Sequence, residues 1–560
     1  MSVLETTLLM AADFNYLLNR VTNGQVVLWL GSGISLGRAD GLGVMIERVL
    51  EFVRVRSNPG DPKCKYARAL FEMVDLADLS PQELESVSLS TPVSTWSVRE
   101  SLVRRLSGKY SLMLDTRIVG HDDDFLVWEG VDVTNNFPDS LEPDVEHIAL
   151  SILILEGVIP HLVTANWDGL VEKAVARLTE DAGSRLRVLI RASDYRVSNS
   201  AAQLYKFHGC AIRAFEDPDS YRELLIARDT QIVAWGTDPN VDVARRELTS
   251  LAYKFDTLMI GLSAQDHDIR FVFASAASGG ASNWPGGGPS IVFAEDKIGD
   301  GQLSILKGMY KGGFTPNATE IVEKSLLRAY AKQSLTALVL LVWWKKLSAL
   351  AGRLDIEDID QWQEDSSAGL AALRGLVAEE SDTASVDFID KLWAGASALH
   401  HYFLTGTIQN GPARYLPLTG GIVDQILIDA VYLSSGHPEW ASGLAVLGHG
   451  LLHGAWAIGV NASGGAPIVT LRVGAETRSL HFFANASALA AAEKSGHFDN
   501  TDPTVVAVEG RGSERSARSP SAPPGRVGER KAVVISADST LLNELSIGEM
   551  LQRLRQEIVL

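Results

Sequence analysis

An amide and a carboxylate stand two residues apart in the stretch LVTANWDGLVEKA, where Asn166 and Asp168 follow a short apolar run that ends at Thr164. A helix-like pattern starts after Gly169. Ligands of open parallel sheets bind outside the carboxyl ends of the strands, and this pair stands at such an end. Asp168 can equally cap the following helix, and capping does not exclude chemistry. His208, in YKFHGC, also follows a short apolar run and precedes a glycine. Histidine is the usual general base near neutral pH; a core histidine bonded to a backbone carbonyl is the plainer alternative.

Two further turns carry candidate ligand-binding residues. Gly31, Ser32, Gly33, Ile34 and Ser35 follow the apolar run VVLWL. Glycines there allow a tight turn and a close phosphate, and a helix N-terminus after them supplies free N–H groups. The match to G-x-G-x-x-G is partial, because Leu36 holds the third glycine position and Gly37 comes one residue late. A plain strand-to-helix turn is the alternative. Gly261, Ser263, Asp266, Asp268 and Arg270 follow another apolar run. Gly261 permits close approach and Ser263 can bond a phosphate or ribose. Locally, Asp266 and Asp268 read as caps of the next helix, with Arg270 paired to one of them.

These residues need a frame that brings strand ends together. Apolar runs alternate with helical periods over roughly residues 1–310, which predicts an α/β fold, a Rossmann-like doubly wound parallel sheet with helices on both faces. Residues 61–144 are mixed and polar in places and read as helices with a variable insertion. From about residue 311 the pattern becomes helical and then α+β. The stretch from EIVEK to SALAGRL reads as one long helix, and helices continue to about residue 460. Strands are expected in APIVTLRVGAETRSLHFFAN, PTVVAVEG and KAVVISAD, with a closing helix LLNELSIGEMLQRLRQEIVL. Residues 510–530, rich in Ser, Pro, Gly and Arg, have little to bury and are expected to form a mobile, solvated loop.

Composition removes several function classes. At 560 residues the chain predicts two or three domains. A formal charge of -19 and a pI near 5.1 do not fit a general nucleic-acid binder, which needs Lys and Arg against phosphate. The two cysteines, Cys64 and Cys210, cannot build a disulfide framework or a four-cysteine zinc site, and they fit a reducing, cytoplasmic setting. No signal peptide is read at the N-terminus. LTALVLLVWW and the stretch from Trp440 to Ile458 read as buried core helices rather than membrane spans. His449 and His453 are four apart, but no Glu lies between them as in H-E-x-x-H and no third ligand is identifiable, so no metal site is expected.

The ordered set GSGIS, TANWDG, KFHG and GLSAQDHDIR resembles the sirtuin family, and more closely the bacterial sirtuin-like effectors of antiphage defence. Sirtuins carry G-A-G-[IV]-S, [TQ]-x-N-x-D-G and H-G segments; the defence branch carries T-x-N-[YW]-D and G-[YFL]-S-x-x-D-x-x-[IL]-R. The resemblance covers about the first 300 residues. Ser32 replaces the usual alanine, the G-I-P-D-F-R-like segment is absent, and GLGVMIERVL matches the branch's G-L-P-x-W segment only loosely. Cys210 stands alone where deacetylating sirtuins hold a four-cysteine zinc module.

The resemblance implies NAD as substrate and no zinc. The pyrophosphate would lie against Gly31, Ser32, Gly33 and Ser35, with Gly261 and Ser263 on the adenosine-ribose side and Thr164 and Asp266 among the binding residues. Asn166 would position the water or ribose hydroxyls, His208 would act as base, and Asp168 would orient the Asn loop or hold the nicotinamide end. The implied activity is NAD glycohydrolysis to nicotinamide and ADP-ribose. Such an effector is expected to stay silent until a signal or an operon partner of Argonaute, ATPase or nucleotide-processing type arrives. The second half of the chain is the place for that control, and a homo-oligomer is expected. Alternatives are a dinucleotide or nucleotide sensor without catalysis, and a deacylase or ADP-ribosyltransferase. A dehydrogenase would need a full G-x-G-x-x-G motif and an acidic residue after the second strand.

Overall fold

The computed structural model describes every residue except 62, 197–200, 281–283, 285–287, 355–358, 382–385, 410–413, 462–467, 512–531, 538–545 and 559–560. The mobile loop expected at 510–530 falls almost wholly outside the described residues.

Seven parallel strands form the first sheet: β1 (Val26–Leu30), β2 (His161–Thr164), β3 (Leu186–Leu189), β4 (Ala202–Lys206), β5 (Asp256–Ile260), β6 (Ile291–Ala294) and β7 (Leu326–Leu327), in the order β3-β4-β2-β1-β5-β6-β7. Side chains alternate across a strand, and β1 shows it. Val26, Leu28 and Leu30 join one core with the helices α3 (Val145–Leu155), α4 (Leu170–Leu178) and α6 (Ala331–Ala351), while Val27 and Trp29 join the opposite core with α5 (His267–Gly279). Both faces are covered, as a doubly wound sheet requires. Residues 42–137 form the helical insertion, including α1 (Leu42–Arg56) and α2 (Tyr110–Leu114), around its own apolar cluster of Val49, Leu70, Leu102 and Met113.

β1 lies between β2 and β5, so the chain leaves it in both directions and opens a crevice at the carboxyl edge. Cross-strand register aligns Ile260, Leu30, Thr164 and Lys206 in one row. Gly31 and Gly261 follow that row at once, and Asn166 and His208 follow it by two residues. The sheet therefore gathers four segments that are distant in sequence into one edge.

The single long helix expected after residue 320 is two helices with a strand between them. The first ends at Lys324, Leu326–Leu327 pairs with β6 as β7, and α6 starts at Ala331. The open edge of β6 takes the extended pair, and this tertiary pairing outweighs local helix propensity. LTALVLLVWW lies in α6, and Leu335, Leu338, Leu341 and Val342 pack in the same core as β1. α6 is the one helix among the described residues long and apolar enough to cross a membrane, and 67% of its apolar window is buried inside the protein.

The second half adds α7 (Ile359–Ser381), α8 (Val386–Thr405) and α9 (His437–Leu452), then a mixed sheet β12-β11-β10-β9-β8 and a final helix, α10 (Ile547–Glu557). Its strands are β8 (Ala457–Asn461), β9 (Ile468–Val473), β10 (Glu476–Asn485), β11 (Val505–Arg511) and β12 (Val533–Ser536). The β8–β9 and β9–β10 pairs are antiparallel, whereas β10–β11 and β11–β12 are parallel. The apolar stretch Trp440–Ile458 is thus not one helix: α9 ends at Leu452, Ala455 bonds back to Gly450, and Ile458 is already in β8.

A buried charge pair joins this half to the first. Glu156, just after α3, lies 2.6 Å from Lys346 of α6, and both side chains are fully buried. The Glu156 carboxylate also accepts hydrogen bonds from the Tyr415 hydroxyl, from the Leu418 N–H at 3.0 Å and from the Trp343 indole at 3.2 Å.

Candidate active site

The turns after β1 and β5 touch each other. The Gly31 N–H donates to the Ile260 carbonyl at 3.0 Å and the Gly33 N–H to the Gly261 carbonyl at 3.1 Å. A Cβ at Gly31 would meet the Gly261 oxygen at 2.2 Å, and one at Gly33 would meet the Gly261 Cα at 2.5 Å. Gly261 has φ +62°. The three glycines are thus required by turn-to-turn contact, whether or not a phosphate also approaches. The helix expected directly after this turn is a single 3₁₀ turn, Ser32–Ser35, and α1 begins only at Leu42. Within this tight turn the N–H groups of Gly31, Gly33 and Ile34 are already donated to the carbonyls of Ile260, Gly261 and Gly31.

The loop after β2 is braced from behind. The Thr164 hydroxyl donates to the Leu30 carbonyl at 3.0 Å and accepts the Asn166 N–H at 3.0 Å. Thr164 is buried and stands behind the loop rather than in the cavity wall. Asn166 Nδ2 donates to the Gly31 carbonyl at 3.1 Å, which leaves its amide oxygen for a ligand. Asp168 caps the helix after it, one of the two roles the sequence suggests. Its Oδ1 accepts the Leu170 N–H at 3.1 Å at the start of α4, and its Oδ2 accepts the Ser35 hydroxyl at 3.0 Å.

Sequence reasoning missed His147 in this network. Its Nδ1 accepts the Asp144 N–H at 3.2 Å, so its proton sits on Nε2, which faces the Ser35 oxygen at 3.3 Å. Burial pushes the His147 pKa down and outweighs the nearby Asp168 and Asp144 charges, which fits a neutral ring. A directed chain results: His147 donates to Ser35, and Ser35 donates to Asp168. Lys206, the last residue of β4, is also buried. It reaches the Asp168 carbonyl, Glu172 at 2.9 Å and the Cys210 sulfur at 3.3 Å. Burial lowers its pKa, but Glu172, Cys210 and Asp168 together raise it above the ordinary value, so it stays charged.

His208 is 3% exposed and bonds to a carboxylate, not to a backbone carbonyl. Its Nε2 lies 2.6 Å from Asp268 Oδ2, and Asp268 Oδ1 accepts the Ile269 N–H at 2.7 Å. Asp266 accepts the Tyr110 hydroxyl of α2 at 2.8 Å. Arg270 pairs with neither carboxylate in the way expected; its Nε reaches the Asp266 backbone carbonyl at 3.4 Å. Burial lowers the His208 pKa, but Asp268 and Asp266 outweigh it and leave it raised. Burial also pushes Asp266 up, against the charge of His208. Among the described residues, His208, Asp266 and Asp268 are the one cluster with metal-type donors all within 4.8 Å of each other. The 2.6 Å contact has the length of a shared proton; two ligands on a tetrahedral ion with ~2.0 Å bonds stand about 3.3 Å apart.

One cavity of about 860 Å³ joins these parts. Gly31, Ser32, Gly33, Ser35, Asn166, Asp168, His208, Gly261, Ser263 and Asp266 all line it. Met45, Val49, Met113 and Phe137 of the insertion, with Trp167, give it an apolar wall. Glu295, Asp296 and Asp300 close the end beyond β6. Such a cavity can hold an extended polar ligand across the sheet edge, with an apolar ring at one end. His449 and His453 do not line it; they stand on α9 and just beyond, with ring centroids 4.3 Å apart.

A family model described as a SIR2-like domain matches residues 160–301. That span runs from β2 through β6 and contains Asn166, Asp168, His208, Gly261, Ser263 and Asp266, whereas the Gly31–Ser35 turn lies before it. No curated protein matches the chain.

Proposed function

We propose that this chain, sirtuin-like over residues 160–301, is an NAD glycohydrolase that converts NAD and water to nicotinamide, ADP-ribose and a proton. The observation that carries the reading is the meeting of Asn166 and His208 on one cavity beside the β1–β5 turn, although 42 positions (208 minus 166) separate them in sequence. A SIR2-like domain fits a protein that uses NAD. The pyrophosphate would follow the Gly31–Ser35 turn along the cavity wall, and the apolar wall with Trp167 fits the nicotinamide ring.

Cleaving the nicotinamide–ribose bond passes through an oxocarbenium-like state. Catalysis must favour that state over bound substrate and place water on the opposite face. The free oxygen of Asn166 would hold that water or the ribose hydroxyls, and His208 would take the proton. Asp168 and Asp266 place negative charge near the developing cation. With two cysteines in the whole chain, the four-cysteine module of deacetylating sirtuins cannot form, so water rather than a bound peptide completes the reaction.

The same reading makes the chain a cytoplasmic antiphage effector, held silent until a signal or an operon partner releases it. The test follows nicotinamide release by chromatography, with the purified chain alone and with the product of its neighbouring gene. Cleavage that is absent in Asn166→Ala supports the hydrolase. Tight NAD binding without turnover under both conditions would replace it with the sensor reading.

A further inference from the structure

Asp268 never reaches the cavity. It is fully buried at the first turn of α5, where its position after a strand makes it look like a helix cap. It does cap, through Oδ1 and the Ile269 N–H at 2.7 Å. Its second oxygen points the other way and meets His208 Nε2 at 2.6 Å. One carboxylate therefore ties the helix after β5 to the histidine after β4, across three intervening strand spacings of the sheet.

That geometry has a chemical consequence. With Nε2 engaged by a carboxylate, the Nε2 proton is fixed, and Nδ1 is the nitrogen left to accept a proton. An acceptor held this way needs its orienting carboxylate on the far nitrogen, dry and immobile, which describes Asp268. Asp266 is placed differently: it lines the cavity and its carboxylate is turned to the Tyr110 hydroxyl.

We propose that Asp268 is a positioning residue that fixes the tautomer and orientation of His208 and stabilises the imidazolium formed during turnover. The proposal rests on the hydrolase reading. In the step it serves, water forms a bond to C1′ of the ribose as the C1′–nitrogen bond breaks. Nicotinamide leaves neutral with the bonding electron pair. The water proton passes to Nδ1 of His208, and the imidazolium paired with Asp268 later releases it to solvent. The charged and titratable groups around the ring are Asp268 and Asp266 from the loop after β5, with Tyr110 and Arg270 bonded to Asp266 in turn.

The test is Asp268→Asn in the full-length chain, which keeps an oxygen for the Ile269 cap. In that variant kcat is expected to fall about 10²- to 10⁴-fold with KM for NAD little changed. Asp268→Glu should recover part of the loss. The readout independent of turnover is histidine ring titration by ¹³C NMR, with the His208 resonance assigned by its loss in His208→Gln. Losing the carboxylate should lower the ring pKa by roughly one unit or more, and the acid limb of kcat should move to lower pH with it. An unchanged ring titration, or an unchanged kcat, overturns the proposal. If the Asn variant fails to fold, Asp268→Ser keeps a capping oxygen and is titrated in its place. If the native chain cleaves no NAD with any partner, the hydrolase reading falls, and the ring titration alone still decides the pairing.

Discussion

The hydroxyl of Ser35 donates to the carboxylate of Asp168 at 3.0 Å, although the two residues are 133 positions apart. His147 stands behind Ser35 at 3.3 Å. The loop that carries Asn166 is therefore held by the turn after β1, through a serine that also lines the cavity.

Ser35→Ala should lower kcat more than it raises KM. It leaves a buried carboxylate oxygen of Asp168 without its donor, at a stability cost of about 1–3 kcal/mol. Denaturant melts and steady-state kinetics of the pure variant check both effects. Wild-type kinetics in Ser35→Ala would show that the brace is idle.

His147→Phe should weaken the same brace without touching the ligand. The expected result is a smaller kcat loss than in Ser35→Ala, and no further loss when the two changes are combined, because both break one chain. Fully additive losses in the double variant would argue that the two residues act separately.

Gly261→Ala should be more damaging than its one added carbon implies. The new Cβ would stand 2.7 Å from the Gly33 Cα, at a position with φ +62°. Forcing the β1 and β5 turns apart should cost more than about 2 kcal/mol and lower NAD affinity. A variant that melts and binds like the native chain would mean the turns part easily.

Acid should destabilise the second half through a buried histidine pair. The Nε2 atoms of His400 and His437 are 2.8 Å apart, and burial pushes their pKa values to about 4 and about 3. In the unfolded chain both titrate near 6.5, so below that pH the unfolded state binds more protons. Stability from this pair is full above about pH 6.5 and is lost as pH falls toward 4. Melting at pH 7.5 and pH 5 should show a lower Tm at the acid end, with a shallower slope in His400→Phe. A Tm that does not respond to pH would mean the pair is solvated.

Strand ends were legible because short apolar runs stop at polar residues; that pattern drew attention to Asn166, Asp168 and His208, and the ordered set of motifs, through its family resemblance, suggested their roles. What lay beyond was long-range contact. His147 follows Asp144 by three residues and reads as part of a helix start, and nothing local points to Ser35, 112 positions away. Asp268 reads as a cap, which is true of one of its oxygens. Gly31 and Gly33 signal close approach, but their nearest neighbour is Gly261. β7 is two residues long inside a helical context, and only the open edge of β6 explains it.

The Glu156–Lys346 pair bears on how this protein can be divided. α3 has His147 in its first turn and leads directly into Glu156, so the support behind the Asn166 loop and the buried carboxylate sit on one rigid rod. A fragment ending at residue 310 would leave that carboxylate in an apolar setting with its cation gone, along with Trp343, Tyr415 and the strand that covers β6. Stranding one partner of a buried pair costs about 3–5 kcal/mol. Cut at residue 310, the first half should melt below the full-length chain, and a fragment that melts like the full-length chain would show that the pair is dispensable to it.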